Sequence, residues 1–169
     1  MGDNIYTVID LLAKTSIIAA GVYGAIQLLQ IRKQRSRESS LQMLNSVQTP
    51  EFIEAMNIIY DLPKGLSKKE IEDYLGDKLT IVLIMFIKLE SLGLLVFKKE
   101  IKLSIVADFM RGPVLLYWHS MKNYFIEKRL TNNDDNFGEW LQWLAEQIEK
   151  SELKAVTKPA YIKYKNWKQ

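Results

Sequence analysis

The 169-residue chain has no cysteine and a single histidine, His119. The first absence excludes a disulfide scaffold, thiolate zinc sites and a cysteine nucleophile, and it fits a reducing compartment. The second confines imidazole chemistry to one position. The chain also lacks a phosphate-cradling glycine loop, an HExxH and a GxSxG. No segment alternates apolar and polar residues with period two, so no strands are predicted, and there is no internal repeat. No metal site and no cofactor is expected.

Charge is present but unevenly placed. Nine of the 23 basic residues lie in two short stretches: Arg32, Lys33, Arg35 and Arg37, then Lys154, Lys158, Lys163, Lys165 and Lys168. The remaining 14 face 20 acids, so a mildly acidic body carries positive charge at both ends. That pattern points to an anionic surface, membrane or nucleic acid, touched at those ends.

Long uncharged runs are equally scarce, and one of them opens the chain. Thr15 to Ile31 holds 17 residues without a charge, preceded by Ile5, Val8, Ile9, Leu11 and Leu12. A membrane-crossing helix needs roughly 20 mostly apolar residues. With its apolar lead-in and the basic cluster beyond Ile31, the segment reads as a span rather than a buried soluble helix, although Gln27 and Gln30 are polar. A signal peptide fits poorly, because Asp3 and Asp10 stand where basic residues belong and no small-x-small site follows. Positive flanks mark the cytoplasmic side. The expected placement is a single pass through the cell inner (plasma) membrane, N-terminus outside and the rest cytoplasmic. Ser16, Ala20 and Gly24 recur every fourth residue and form a candidate packing face for a homo-oligomer.

Beyond the anchor the sequence predicts helices alone. Thr49 before Pro50 reads as the N-cap of a helix to about Tyr60. Ser67 to Glu70 has the form of a capping box opening a short helix that ends near Gly76. Asp77 to Leu92 reads as a core helix closed by Gly93, with too few uncharged residues to cross a bilayer. "RGP" at Arg111 to Pro113 is expected to break the next helix and start a long amphipathic one. "TNNDDN" reads as a polar loop before a final helix. The expected architecture is all-α: a transmembrane anchor with basic cluster (1–37), a cytoplasmic bundle of five or six helices (38–153) and a basic aromatic tail (154–169).

Candidate chemistry is sparse. His119 adjoins Ser120, but helix neighbours point about 100° apart and make no dyad. Asp108 and Glu90 are acids in apolar surroundings, and each is expected to meet Lys88, Arg111 or Arg129, or water. His119, Asp108 and Glu90 are thus the weak candidates for a hydrolase. In the tail, Lys158, Tyr161, Lys163, Tyr164, Lys165 and Trp167 interleave lysines with aromatics. Such a pattern can stack on single-stranded nucleic acid, or settle on lipid headgroups. With an anchor upstream, anionic lipid is the simpler partner and a disordered solubilising end is the alternative.

Several residues carry a resemblance. Pro50 and Glu51, Glu90, Gly93 to Val96, Gly112, Trp118, Arg129 and Trp140 occur in an order that resembles a prokaryotic family catalogued only as a domain of unknown function. The likeness runs from about Arg32 to Gln147. It implies an all-helical, often membrane-anchored protein of bacterial or phage source, and it implies no activity. The function expected is a non-catalytic interaction or sensing module at the membrane, with an unidentified protein partner. The alternatives are an oligomerising membrane effector in a bacterial or phage defence or exclusion system, and a hydrolase using His119.

Overall fold

The computed structural model describes the backbone of residues 2–47, 49–154, 160–163, 165–166 and 168, and side chains from Lys14 on apart from scattered positions such as Arg32. The described elements are all helical: α1 (Gly2–Val47), α2 (Pro50–Asp61), α3 (Lys68–Leu75), α4 (Leu79–Phe97), α5 (Leu103–Asn132), α6 (Glu139–Lys154) and α7 (Ala160–Lys163). A 3-10 turn, Gly76–Lys78, joins α3 to α4. No strand occurs among the described residues, in agreement with the all-α expectation. The chain divides into two compact units, Met1–Ser39 and Ser40–Gln169.

In the first unit, α1 leaves its large apolar side chains in the open. Ile17, Ile18, Val22, Tyr23, Ile26, Leu28, Leu29 and Ile31 are all exposed, from 45% at Ile31 to 73% at Ile17.

The second unit is a bundle of α2 to α6 around one core, to which the last turns of α1 add the buried Met43 and Val47. Its helix starts are set locally. Thr49 Oγ1 accepts from the Phe52 amide at 3.3 Å and Pro50 takes the first helical position. Ser67 and Glu70 form the expected capping box, and Gly76, at φ +49°, ends α3. α4 runs through the centre and buries Val82, Met85, Phe86, Leu89, Leu92, Gly93 and Val96. Around it pack Phe52, Ala55 and Ile59 of α2, Ile71 and Leu75 of α3, and Tyr117, Met121 and Phe125 of α5. Leu141, Leu144 and Ile148 of α6 close the core. The Tyr117 hydroxyl reaches the Val82 carbonyl at 2.8 Å, so the buried phenol is satisfied. Burial pushes its pKa well above the usual tyrosine value.

Three expectations need correction. Gly93 does not end a helix: α4 continues to Phe97, because the glycine serves a neighbouring backbone rather than a cap. "RGP" does not break α5, which runs unbroken from Leu103 to Asn132 with Pro113 inside. An interior proline costs about 3 kcal/mol. Here Val106 and Met110 before it and Val114, Tyr117 and Trp118 after it are buried on one core, and that burial outweighs the lost bond. Gly112 also has no Cβ to meet the proline ring. Third, the helical run among the described residues that is long and apolar enough to cross a membrane is Lys68–Phe97, which is not N-terminal. Of its most apolar stretch, 39% is buried in the bundle.

Candidate functional site

Glu90 is the best-placed charged group in the bundle. It stands half-buried on α4, facing the start of α6. A helix leaves its first amides without partners. Gly138, at φ +75°, precedes α6 and accepts its first turn bond from Gln142, but it has no side chain to cap those amides. Glu90 does so from another helix. Its Oε2 accepts from the Leu141 amide at 2.7 Å and its Oε1 from the Trp140 amide at 3.2 Å.

One turn along α4, Gly93 makes this approach sterically possible. A Cβ there would lie 2.3 Å from the Trp140 carbonyl oxygen and 2.7 Å from its carbon. Arg129, near the end of α5, holds the other side of the loop. Its Nε donates to the Phe137 carbonyl and its Nη1 to Gln142 Oε1, both at 2.7 Å. Its Nη2 is buried with no hydrogen-bond partner among the described residues. Phe86, Phe125 and Phe137 fill the space beneath, with ring centroids 4.9 to 5.5 Å apart. The Trp140 ring packs against Phe97, centroids 4.6 Å apart and planes tilted by 45°.

Burial raises the Glu90 pKa above the usual glutamate value. The Leu141 and Trp140 amides pull it back, Glu139 pushes it up again, and Arg129 lowers it. Desolvation prevails. The carboxylate is thus already engaged by two main-chain donors, and the arrangement acts as a clasp between α4, α5 and α6. Lys88 points elsewhere, donating to Thr49 Oγ1 at 3.0 Å and tying α4 to the start of α2.

The other two hydrolase candidates are not brought to Glu90. His119 meets Glu149 of α6, Nε2 to Oε1 at 2.9 Å, with both side chains about half exposed. Asp108 is exposed on α5 eleven residues before His119, roughly 16 Å along the axis. Glu149 was missed in the sequence because it lies 30 residues from its partner and nothing local marks it. Gln142, which receives Arg129, was missed for the same reason. Trp118 is a core residue, stacked on Phe125 at 6.0 Å, whereas Trp140 is only partly buried. No three histidine or acidic side chains among the described residues are placed to hold a metal ion.

On α1, Lys33, Arg35 and Arg37 are exposed, and the Arg32 side chain lies outside the described residues. Ser16 and Ala20 are exposed and Gly24 partly so, on one helix face, and among the described residues nothing lies within 4 Å of a Cβ at Gly24. In the tail, Tyr161 and Lys165 are exposed and Lys163 ends α7. Lys158, Tyr164 and Trp167, and the Lys163 side chain, lie outside the described residues.

Fold and clasp together define an all-helical domain whose last long helix is capped by its neighbour. The chain belongs to the family described as domain of unknown function DUF4760, whose model matches residues 15–148. No curated protein and no solved structure matches it. Four residues that carry the resemblance in the sequence, Glu90, Gly93, Arg129 and Trp140, all meet at the clasp.

Proposed function

We propose that the chain is a single-pass, membrane-anchored interaction module. In this reading α1 crosses the cell inner (plasma) membrane with its N-terminus outside, and α2 to α6 form a cytoplasmic unit that docks a partner or senses a state without catalysis of its own. The observation that carries the reading is the run of eight exposed large apolar residues between Ile17 and Ile31. Each such side chain left in water forgoes about 1.5–3 kcal/mol of burial, so a contiguous group of them calls for a lipid environment. Exposed Lys33, Arg35 and Arg37 follow at once, as expected of a cytoplasmic flank. The family match begins at residue 15 and takes in this apolar run together with the bundle.

α4 is the competing span, and its packing argues against it. In a bilayer Val82, Met85, Phe86 and Leu89 would lose the bundle that surrounds them, and Glu90 its two amide partners. The basic cluster, with Tyr161 and Lys165 of the tail, would rest on anionic lipid headgroups. An unidentified protein is the partner proposed for the helical unit, and nucleic acid has no part in this reading.

Fractionation tests it. Full-length protein is expected in the membrane pellet after high salt and alkaline washing. Recovery of the intact chain as a monodisperse soluble species without detergent would refute the anchor. An oligomerising effector is the second reading, favoured by the open space at Gly21 and Gly24. Expression toxicity accompanied by membrane depolarisation would support it over a passive adaptor.

A further inference from the structure

The uncharged run of α1, together with the turn that follows it, is not apolar all round. Tyr23, Gln27, Gln30 and Gln34 follow one another at spacings of four, three and four. At 100° per residue they fall within about 60° of the helix circumference, while Ile17, Ile18, Val22 and Leu29 fall on the opposite side. All eight side chains are exposed. Within the stripe, Gln27 Nε2 donates to the Tyr23 hydroxyl at 2.7 Å, and Gln34 Nε2 to Glu38 Oε1 at 2.9 Å.

A carboxamide in hydrocarbon is costly unless its two N–H donors and its oxygen are bonded. The bond to Tyr23 uses one donor of Gln27. A helix lying flat among headgroups would carry lysines or arginines on its polar face. This stripe has none between Ser16 and Ile31. An amide, by contrast, complements another amide, since each offers both donor and acceptor. The alternation of four and three is also the spacing of two helices wound left-handedly about each other. The basic flank would insert every copy in the same orientation, so in a parallel pair each amide lies level with its own counterpart.

We infer that Tyr23, Gln27, Gln30 and Gln34 form the seam of a parallel homodimer of α1, closed by amide hydrogen bonds between two copies of this chain. The inference rests on the proposed reading of α1 as a membrane span. It shifts the contact off the Gly24 end of the small-residue row, which lies about 90° round the helix from the centre of the stripe, while Ser16 and Ala20 stay within about 50° of it.

The absence of cysteine makes the test direct. Single substitutions Ala20→Cys and Gln34→Cys on the seam side, and Val22→Cys and Leu29→Cys opposite, are made in the full-length chain and oxidised in alkali-washed membranes. Dimer bands are expected from the first pair and not from the second. Adding Gln27→Leu and Gln30→Leu to Ala20→Cys should weaken pairing on the order of tenfold, since interhelical hydrogen bonds in membranes are individually modest. Adding Gly24→Ile should leave the band in place. Equal bands from both faces, or a band unchanged by the two leucines, overturns the seam. Membrane-retained protein with no band from either face overturns the seam and leaves the anchor standing. Protein released by alkali overturns the anchor and the seam with it.

Discussion

A methyl group at Gly93 tests the clasp most directly. The Cβ of Gly93→Ala would lie 2.3 Å from the Trp140 carbonyl oxygen, where ordinary contact begins at 3.4 Å. α4 and α6 must then part by roughly 1 Å, because the obstacle is backbone and no rotamer change relieves it. That displacement takes the 2.7 Å bond from Leu141 to Glu90 beyond hydrogen-bonding range and lengthens the 3.2 Å bond from Trp140 further. Hydrogen bonds to a charged group contribute about 1.5–3 kcal/mol each, and a partly exposed site retains some of this through water. Against the loss stands about 1 kcal/mol gained when alanine replaces glycine inside a helix. The net expectation is destabilisation by about 2 kcal/mol, or roughly 5–10 °C in Tm for a unit of this size. Ser91→Ala, exposed two residues earlier on the same helix, meets no such obstacle and should be neutral or stabilising by up to about 0.5 kcal/mol. Urea or thermal unfolding of the full chain in mild detergent, followed by far-UV circular dichroism, measures both. Gly93→Ala as stable as the wild type would refute the close approach of α6.

Other outcomes follow from the same contacts. Glu90→Ala leaves two helix-start amides without a carboxylate and should cost about 2–3 kcal/mol in the same unfolding assay. The folded-state pKa of Glu90 lies above its ordinary 4.5, so the native state holds a proton that the unfolded chain releases. The resulting stabilisation is full below pH 4.5 and lost as pH rises through the folded-state pKa, so wild type should lose stability relative to Glu90→Gln across that interval. A carboxyl-carbon NMR titration should place Glu90 above 4.5. Glu51 and Glu70 should titrate below it, held down mainly by backbone hydrogen bonds, and the reverse order would contradict the clasp and caps together. Trp118→Ala removes a buried ring stacked on Phe125 and should cost about 3–5 kcal/mol; an unchanged Tm would mean that the ring is exposed.

What the sequence disclosed was local. The Thr49 cap, the Ser67–Glu70 box and the stop at Gly76 each depend on residues within four positions, and each is found where the pattern places it. Gly93 and Pro113 misled because both carry a strong local meaning that packing reverses. A glycine after an apolar helix usually ends it, yet here the missing side chain makes room for a backbone 47 residues further on. Proline usually breaks a helix, yet a core on both sides of Pro113 holds α5 together. Glu90 was legible as an acid in need of a partner. Its partner was not, because an uncapped helix start is recognisable only once Gly138 is seen in place. Arg129, named as one possible partner, does bias the carboxylate, but its own hydrogen bonds go to Phe137 and Gln142.

The clasp also has a history in time. Glu90 is synthesised 50 residues before Trp140, an interval of a few seconds at about 5–20 residues per second. During it Glu90 has no amides to cap and α4 lacks the apolar side of α6, and the run from Lys68 to Phe97 is apolar enough to be taken for a membrane segment. Lys88 and Glu90 stand at the middle of α4, where a charge opposes insertion most strongly, by about 3 kcal/mol for lysine. On the proposed reading of the chain as membrane-anchored, the pair would oppose insertion of α4 into the bilayer before either residue holds the bundle together. With α1 crossing the membrane as proposed, a chain carrying Lys88→Leu and Glu90→Leu is expected to gain a second crossing, read by a C-terminal topology reporter that changes sides.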